Sequence, residues 1–116
     1  MPGGASDEDQ IAQLLAQWKS AVQVLDVDAM LTAYSDSYEN SEGLDKKGLR
    51  SMISGAIDQG MMDDMDVIIE GAVTTVTGDS AKVTGIVYEF SAGSIEVDFK
   101  LNKEGRTWRI VGEQRV

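Results

Sequence analysis

The chain is 116 residues long, 42% hydrophobic, and carries 20 acidic against 10 basic residues for a net charge of −10. That length and apolar content fit one domain with one core, with disorder expected only at the ends. The acidic balance excludes nucleic acid and anionic membrane as natural partners, because phosphate binding needs a basic surface.

The chain contains no cysteine and no histidine. Disulfides, thiol nucleophiles, His-based general bases and Ser-His-Asp triads are therefore all excluded. Any catalysis must rest on Asp, Glu, Tyr, Lys or Arg. No run of about 18 apolar residues is present, so no membrane-spanning helix is expected. No signal peptide is visible at Met1–Ser6, and the default expectation is a cytoplasmic protein.

Residues 1–5, with Gly3 and Gly4, read as a flexible lead-in to a single domain over 6–116. Ser6 begins a helix: Ser6-x-x-Asp9 has capping-box spacing, and Asp7, Glu8 and Asp9 suit the positive end of a helix dipole. Ile11, Leu14, Leu15, Trp18, Val22 and Leu25 then recur on one helical face. Asp26 caps a short second helix through Ala29, Met30, Ala33 and Tyr34. Residues 35–45 are polar and turn-rich, with room for a very short strand pair near 38–42. Asp45 caps a third helix whose buried stripe is Leu49, Met52, Ile53, Ala56 and Ile57, with Gly60 as its stop.

Beyond Asp66 the period changes from 3.6 to 2. Four strands are predicted at about 66–77, 80–90, 94–103 and 106–115. Gly78-Asp79, Ala92-Gly93 and Glu104-Gly105 mark tight hairpins between them. Short links imply an antiparallel meander, so the fold class is α+β. In the last two strands Ile95, Val97, Phe99 and Leu101 share one face. Trp108 and Ile110 oppose Arg109, Val111 and Glu113. In the first two strands apolar residues fall on both faces: Val83 and Val87 oppose Ile86, Tyr88 and Phe90. A sheet with two apolar faces wants cover on both. The helices cover one, and a second copy of the chain is expected on the other, as a homodimer through the sheet face.

Several segments in this order resemble a known superfamily. They are Trp18, Leu25-Asp26-Val27-Asp28-Ala29-Met30, Ala33-Tyr34-Ser35-Asp36, Gly48 with Leu49, Gly78 to Val83, and Gly105-Arg106-Thr107-Trp108-Arg109-Ile110-Val111. The pattern over residues 6–116 resembles the nuclear-transport-factor-2-like superfamily, which includes SnoaL-like cyclases and ketosteroid isomerases. The resemblance implies a cone: three N-terminal helices packed on a strongly bent antiparallel sheet, with a pocket at the open end. It places that pocket between helix 1, the 34–65 region and the concave sheet face. Its implied lining is Trp18, Val22, Tyr34, Tyr38, Met52, Met62, Met65, Val97, Phe99 and Trp108. Such a pocket would hold a small apolar ligand.

A ketosteroid isomerase needs a carboxylate base and an oxyanion hole made by a helix-1 tyrosine and a protonated acid on a late strand. Counting from Asp26 puts Trp18 at the tyrosine position, and counting from Gly105 puts Val97 at the acid position. The base position falls near Glu42. Both donors are thus replaced, which argues against isomerase chemistry. Asp36, Glu39 and Glu42 in the polar turn remain as acids. Glu89, which alternates in step with Val83 and Val87, is a further candidate pointing into the cone.

Asp63-Asp64-x-Asp66 lacks the rest of a calcium loop and reads as an exposed acidic turn. Lys46, Lys47 and Arg50 decorate helix 3. No phosphate-binding loop or dinucleotide fingerprint occurs, so neither metal nor cofactor is expected. The sequence leaves three roles open: binding of an apolar small molecule, non-catalytic association through the sheet, or a carboxylate-based isomerase, dehydratase or hydrolase using Glu42 or Glu89.

Overall fold

A computed structural model describes residues 6–116, and the lead-in expected at 1–5 lies outside the described residues. Three helices come first: α1 (Asp7–Gln23), α2 (Val27–Leu31) and α3 (Lys46–Asp58). All three begin at the predicted caps. The side chain of Ser6 accepts from the Asp9 N–H at 3.1 Å, Asp26 from Ala29 at 3.1 Å, and Asp45 from Gly48 at 2.8 Å. The α1 stripe buries Ile11, Leu15, Trp18, Ala21 and Val22. Leu25 does not continue it: α1 has ended, and Leu25 turns the chain toward α2 with φ at 58°. No helix among the described residues is long and apolar enough to cross a membrane.

Five strands follow: β1 (Asp66–Ile68), β2 (Val73–Thr77), β3 (Ser80–Phe90), β4 (Gly93–Glu104) and β5 (Thr107–Arg115). All pairs are antiparallel, in the order β1-β3-β4-β5, with β2 also on β3. The long first strand expected at 66–77 is broken. Ile69 to Ala72 form a tight turn, closed by the Ala72 N–H on the Ile69 carbonyl at 3.1 Å. Ile68 pairs with Val87 and Val73 with Thr84, so this turn faces only Gly85 and Ile86 of β3. The strand pair expected near 38–42 is a single bridge, Glu39 to Asp45.

Two bulges bend the sheet and reset which residues face inward. In β3, Val83 pairs with Phe99 but Ile86 with Val97, so an extra residue is accommodated beside Gly85, whose φ is +85°. In β5, Lys100 pairs with Gly112 but Leu101 with Ile110, which leaves Val111 as the extra residue. Each bulge inverts the simple alternation read from the sequence. Val83, Ile86, Tyr88 and Phe90 all turn to the concave side, while Val87 and Glu89 turn outward. Concave-side Val67, Val83, Ile86, Val97, Phe99, Leu101 and Ile110 are buried in one core with the α1 stripe and Met30 and Leu31 of α2. The outer face keeps few apolar residues: half-buried Ile68, Val87 and Val111, and exposed Val73.

The segment after α2 fastens itself along β5 and spans its bulge. Ser35 N–H donates to the Ile110 carbonyl at 2.8 Å, Glu39 N–H to Val111 at 3.2 Å, and Ser41 N–H to Glu113 at 3.2 Å. This covers an otherwise open sheet edge and carries Tyr34 and Tyr38 to the core. Substituting Gly85 with alanine tests the β3 bulge. A Cβ there would lie 3.9 Å from the Gly71 carbonyl, which is ordinary contact, so only backbone strain opposes it. The expected cost is about 1–2 kcal/mol, measured by urea unfolding.

Candidate functional site

A cavity of about 270 Å³ opens between α1, α3, the 61–65 turn and the concave face of β3 and β5. Trp18 and Val22 of α1 form one wall, and Met30 and Tyr34 the floor. Leu49, Met52, Ile53 and Ala56 of α3 face them. Met61, Met62 and Met65 form the rim, with Met52 and Met61 55% and 59% exposed at the mouth. Flexible, polarisable methionines make such a rim adaptable. The sheet contributes Tyr88, Phe90 and the cavity's one carboxyl group, Glu113.

Glu113 is inside because of the β5 bulge. It pairs with concave-facing Phe99. Straight alternation with Trp108 and Ile110 would have put it outside. Tyr88 Oη donates to Glu113 Oε1 at 3.2 Å. Burial pushes the Glu113 carboxyl above its ordinary range, and the Tyr88 bond partly offsets this. Around it stand three phenols. Tyr88 is raised well above its usual value by burial and then by the Glu113 charge, and Tyr38 is raised for the same two reasons. Tyr34 is raised by burial and by Glu113, against a hydrogen bond with Trp18 that lowers it. All three hydroxyls stay neutral donors at physiological pH. The Tyr34 and Tyr38 rings meet edge-on at 5.0 Å, and Trp18 lies 6.1 Å from Tyr88.

The pH dependence of stability follows from the raised carboxyl. At low pH Glu113 is protonated in both folded and unfolded chains and contributes nothing. As pH rises past the ordinary value of 4.5 the unfolded chain ionises first, so stability falls until the folded carboxyl has ionised too. Glu113→Gln is therefore expected to gain stability relative to wild type as pH rises above the ordinary carboxyl value of 4.5. Urea unfolding of both proteins across that value checks this. A difference that does not change with pH would show that the carboxyl is not held above its ordinary value.

Of the residues expected to line the pocket, Trp18, Val22, Tyr34, Met52, Met62 and Met65 come together at this cavity. Tyr38, Val97, Phe99 and Trp108 lie in the packed core and do not line it. The acids named from sequence fall elsewhere. Asp36 is exposed and paired with Lys46 at 3.1 Å. Glu42 is exposed in the polar turn, where its N–H bonds Asn40 Oδ1 at 2.9 Å. Glu39 is exposed against the β5 edge. Glu89 does not point into the cone, because the Gly85 bulge turns it outward and it is exposed.

Sequence reasoning missed Glu113 and Tyr88. The signal was present: glycine inside a strand, at Gly85 and at Val111-Gly112, marks a bulge. Arg50 pairs with Asp28 at 2.7 Å, and Asp63, Asp64 and Asp66 are exposed. No cluster of three metal-ligating side chains occurs among the described residues. A larger depression of about 600 Å³ on the outer face is lined by exposed Thr75, Thr77, Lys82 and Lys100 and holds no buried ionisable group.

A five-stranded bent antiparallel sheet wrapped on three helices, with a pocket at its open end, is the cystatin-like cone of nuclear-transport-factor-2-like proteins, and this chain has that fold. A cystatin-like-fold protein of unknown function from Nostoc punctiforme superposes with a TM-score of 0.77 at 18% identity, over 99% of this chain and 93% of the other. A nuclear-transport-factor-2-like protein of unknown function from Pseudomonas putida gives 0.74 at 17% identity, over 97% and 88%. A Xanthomonas campestris domain, provisionally described as a calcium/calmodulin-dependent protein kinase II association domain, gives 0.68 at 12%, over 99% and 89%. No family model and no curated protein matches the sequence.

Proposed function

We propose that the chain is a binding domain for a small apolar molecule, held in the cone between α1, α3 and the concave sheet face. One observation carries this. The cavity of about 270 Å³ is walled by apolar, aromatic and methionine side chains around one carboxyl group. Ligand sites are apolar clefts of roughly 300–1,000 Å³ with few, well-placed polar groups. Just below that range, the cavity suits a compact occupant of about ten carbons rather than a four-ring skeleton. Isomerase chemistry of the steroid type lacks support: Val97 is buried in the core, Trp18 replaces a phenol, and Glu42 is exposed. Thermal-shift screening with a panel of one- and two-ring lipophiles tests the proposal. A binder present at 100 times its Kd stabilises by about 2.7 kcal/mol, a clear rise in Tm. A panel that leaves Tm unmoved up to its solubility limit would overturn it.

A second role, association of two copies through the outer sheet face, has support from Val73, which is 61% exposed on the same face as half-buried Val87 and Val111. Light scattering that finds only monomer at high micromolar concentration would remove it.

A further inference from the structure

The proposed pocket holds a carboxylate with no cationic partner. Four ion pairs occur among the described residues, and none uses Glu113. No lysine or arginine lines the cavity. Lys82 and Lys100 lie on the other side of the sheet. Arg115, two residues beyond Glu113, shares its face but is exposed and lines no part of the cavity. The carboxyl accepts one hydrogen bond, from the Tyr88 hydroxyl to Oε1 at 3.2 Å. The other ionisable groups beside it are the phenols of Tyr34 and Tyr38, which are neutral donors and cannot balance its charge.

A half-buried carboxylate without a counter-charge carries a desolvation cost, and a cation delivered to it offsets that cost. The walls around the carboxyl are also suited to a cation. Trp18, Tyr34, Tyr88 and Phe90 line the same cavity, and aromatic faces attract ammonium groups. The net charge of −10 raises the local concentration of cations around the whole molecule. An anionic ligand meets the opposite conditions at every one of these points.

We propose that the pocket selects small lipophilic ammonium ions, with Glu113 as their counter-ion and the aromatic rings of Trp18, Tyr34, Tyr88 and Phe90 around the charged end. The hydrocarbon body then lies toward the methionine rim. This rests on the binding role proposed above and adds the charge of the ligand.

The test uses three probes with one hydrocarbon cage: 1-adamantylmethylamine, 1-adamantylmethanol and 1-adamantanecarboxylate. Each is titrated calorimetrically into the wild-type chain and into Glu113→Gln at neutral pH, where the amine is protonated. The amine should bind wild type at least about tenfold more tightly than the alcohol, as a charge-assisted contact does. The carboxylate should bind most weakly, and Glu113→Gln should erase the preference. Equal binding of amine and alcohol would overturn the ammonium assignment and leave the apolar pocket standing. An amine preference that survives Glu113→Gln would also overturn it. Failure of all three probes, together with a flat lipophile screen, would overturn both proposals. If circular dichroism shows that the variant does not fold, equal wild-type binding of amine and alcohol still overturns the proposal.

Discussion

Trp108→Ala is expected to cost about 3–5 kcal/mol, a large share of the roughly 5–15 kcal/mol that holds a domain of this size. Trp108 is 2% exposed and sits where the last hairpin meets the start of α1. Its indole Nε1–H donates to Asp7 Oδ1 at 3.2 Å, and Lys103 Nζ reaches the same oxygen at 3.1 Å. Truncation leaves a ring-sized void and removes one of the two donors fixing the first turn of α1. Lys103 keeps Asp7 charged and solvated, so the void dominates. Urea unfolding followed by circular dichroism measures the loss. A cost under about 1 kcal/mol would mean that the hairpin collapses into the space.

Phe99→Ala should be about as severe, roughly 3–5 kcal/mol, for a different reason. Phe99 is fully buried at mid-sheet and meets Trp18 edge-on at 5.3 Å. Such ring pairs add roughly 0.5–1.5 kcal/mol beyond area burial. Removing Phe99 frees Trp18, and Trp18 is a wall of the pocket. The variant should therefore lose near-ultraviolet circular dichroism as well as stability. A normal aromatic signal in a destabilised protein would show that other neighbours hold Trp18 in place.

Most of the scaffold was legible in the sequence because its signals are local. Caps at Ser6, Asp26 and Asp45 need only a side chain and an N–H three residues on, and all three formed. Turns at Gly78 and Gly105 need only a positive φ, and both have one. The split at Ile69–Ala72 was not legible, because Val67 to Val76 reads as one strand until its partner is known to bend at Gly85. The pocket was half legible. Residues on helices kept their faces, so Trp18 and Val22 lie on the buried face that the period gives α1. Met52, read as part of a buried stripe, is 55% exposed at the cavity mouth. Strand residues beyond a bulge changed face. Glu89 was expected inside and lies outside, and Glu113 was expected outside and lies within. Val97, Phe99 and Trp108 were given the right face but not the right depth, since facing inward does not distinguish a packed core from a lined cavity.

The extra residue in β5 also bears on how chains of this shape can diverge. Elsewhere in a strand, gaining or losing one residue exchanges inside for outside along everything beyond it. At Val111 the ladder already absorbs a residue: Ile110 and Glu113 keep their partners Leu101 and Phe99 whatever lies looped between Ile110 and Gly112. Gly85 gives β3 the same freedom opposite Asp98. These are the two points where length can drift without turning the cone inside out. A count of positions from the Gly105 turn is therefore a poor guide to which acid a descendant of this sheet presents to its ligand.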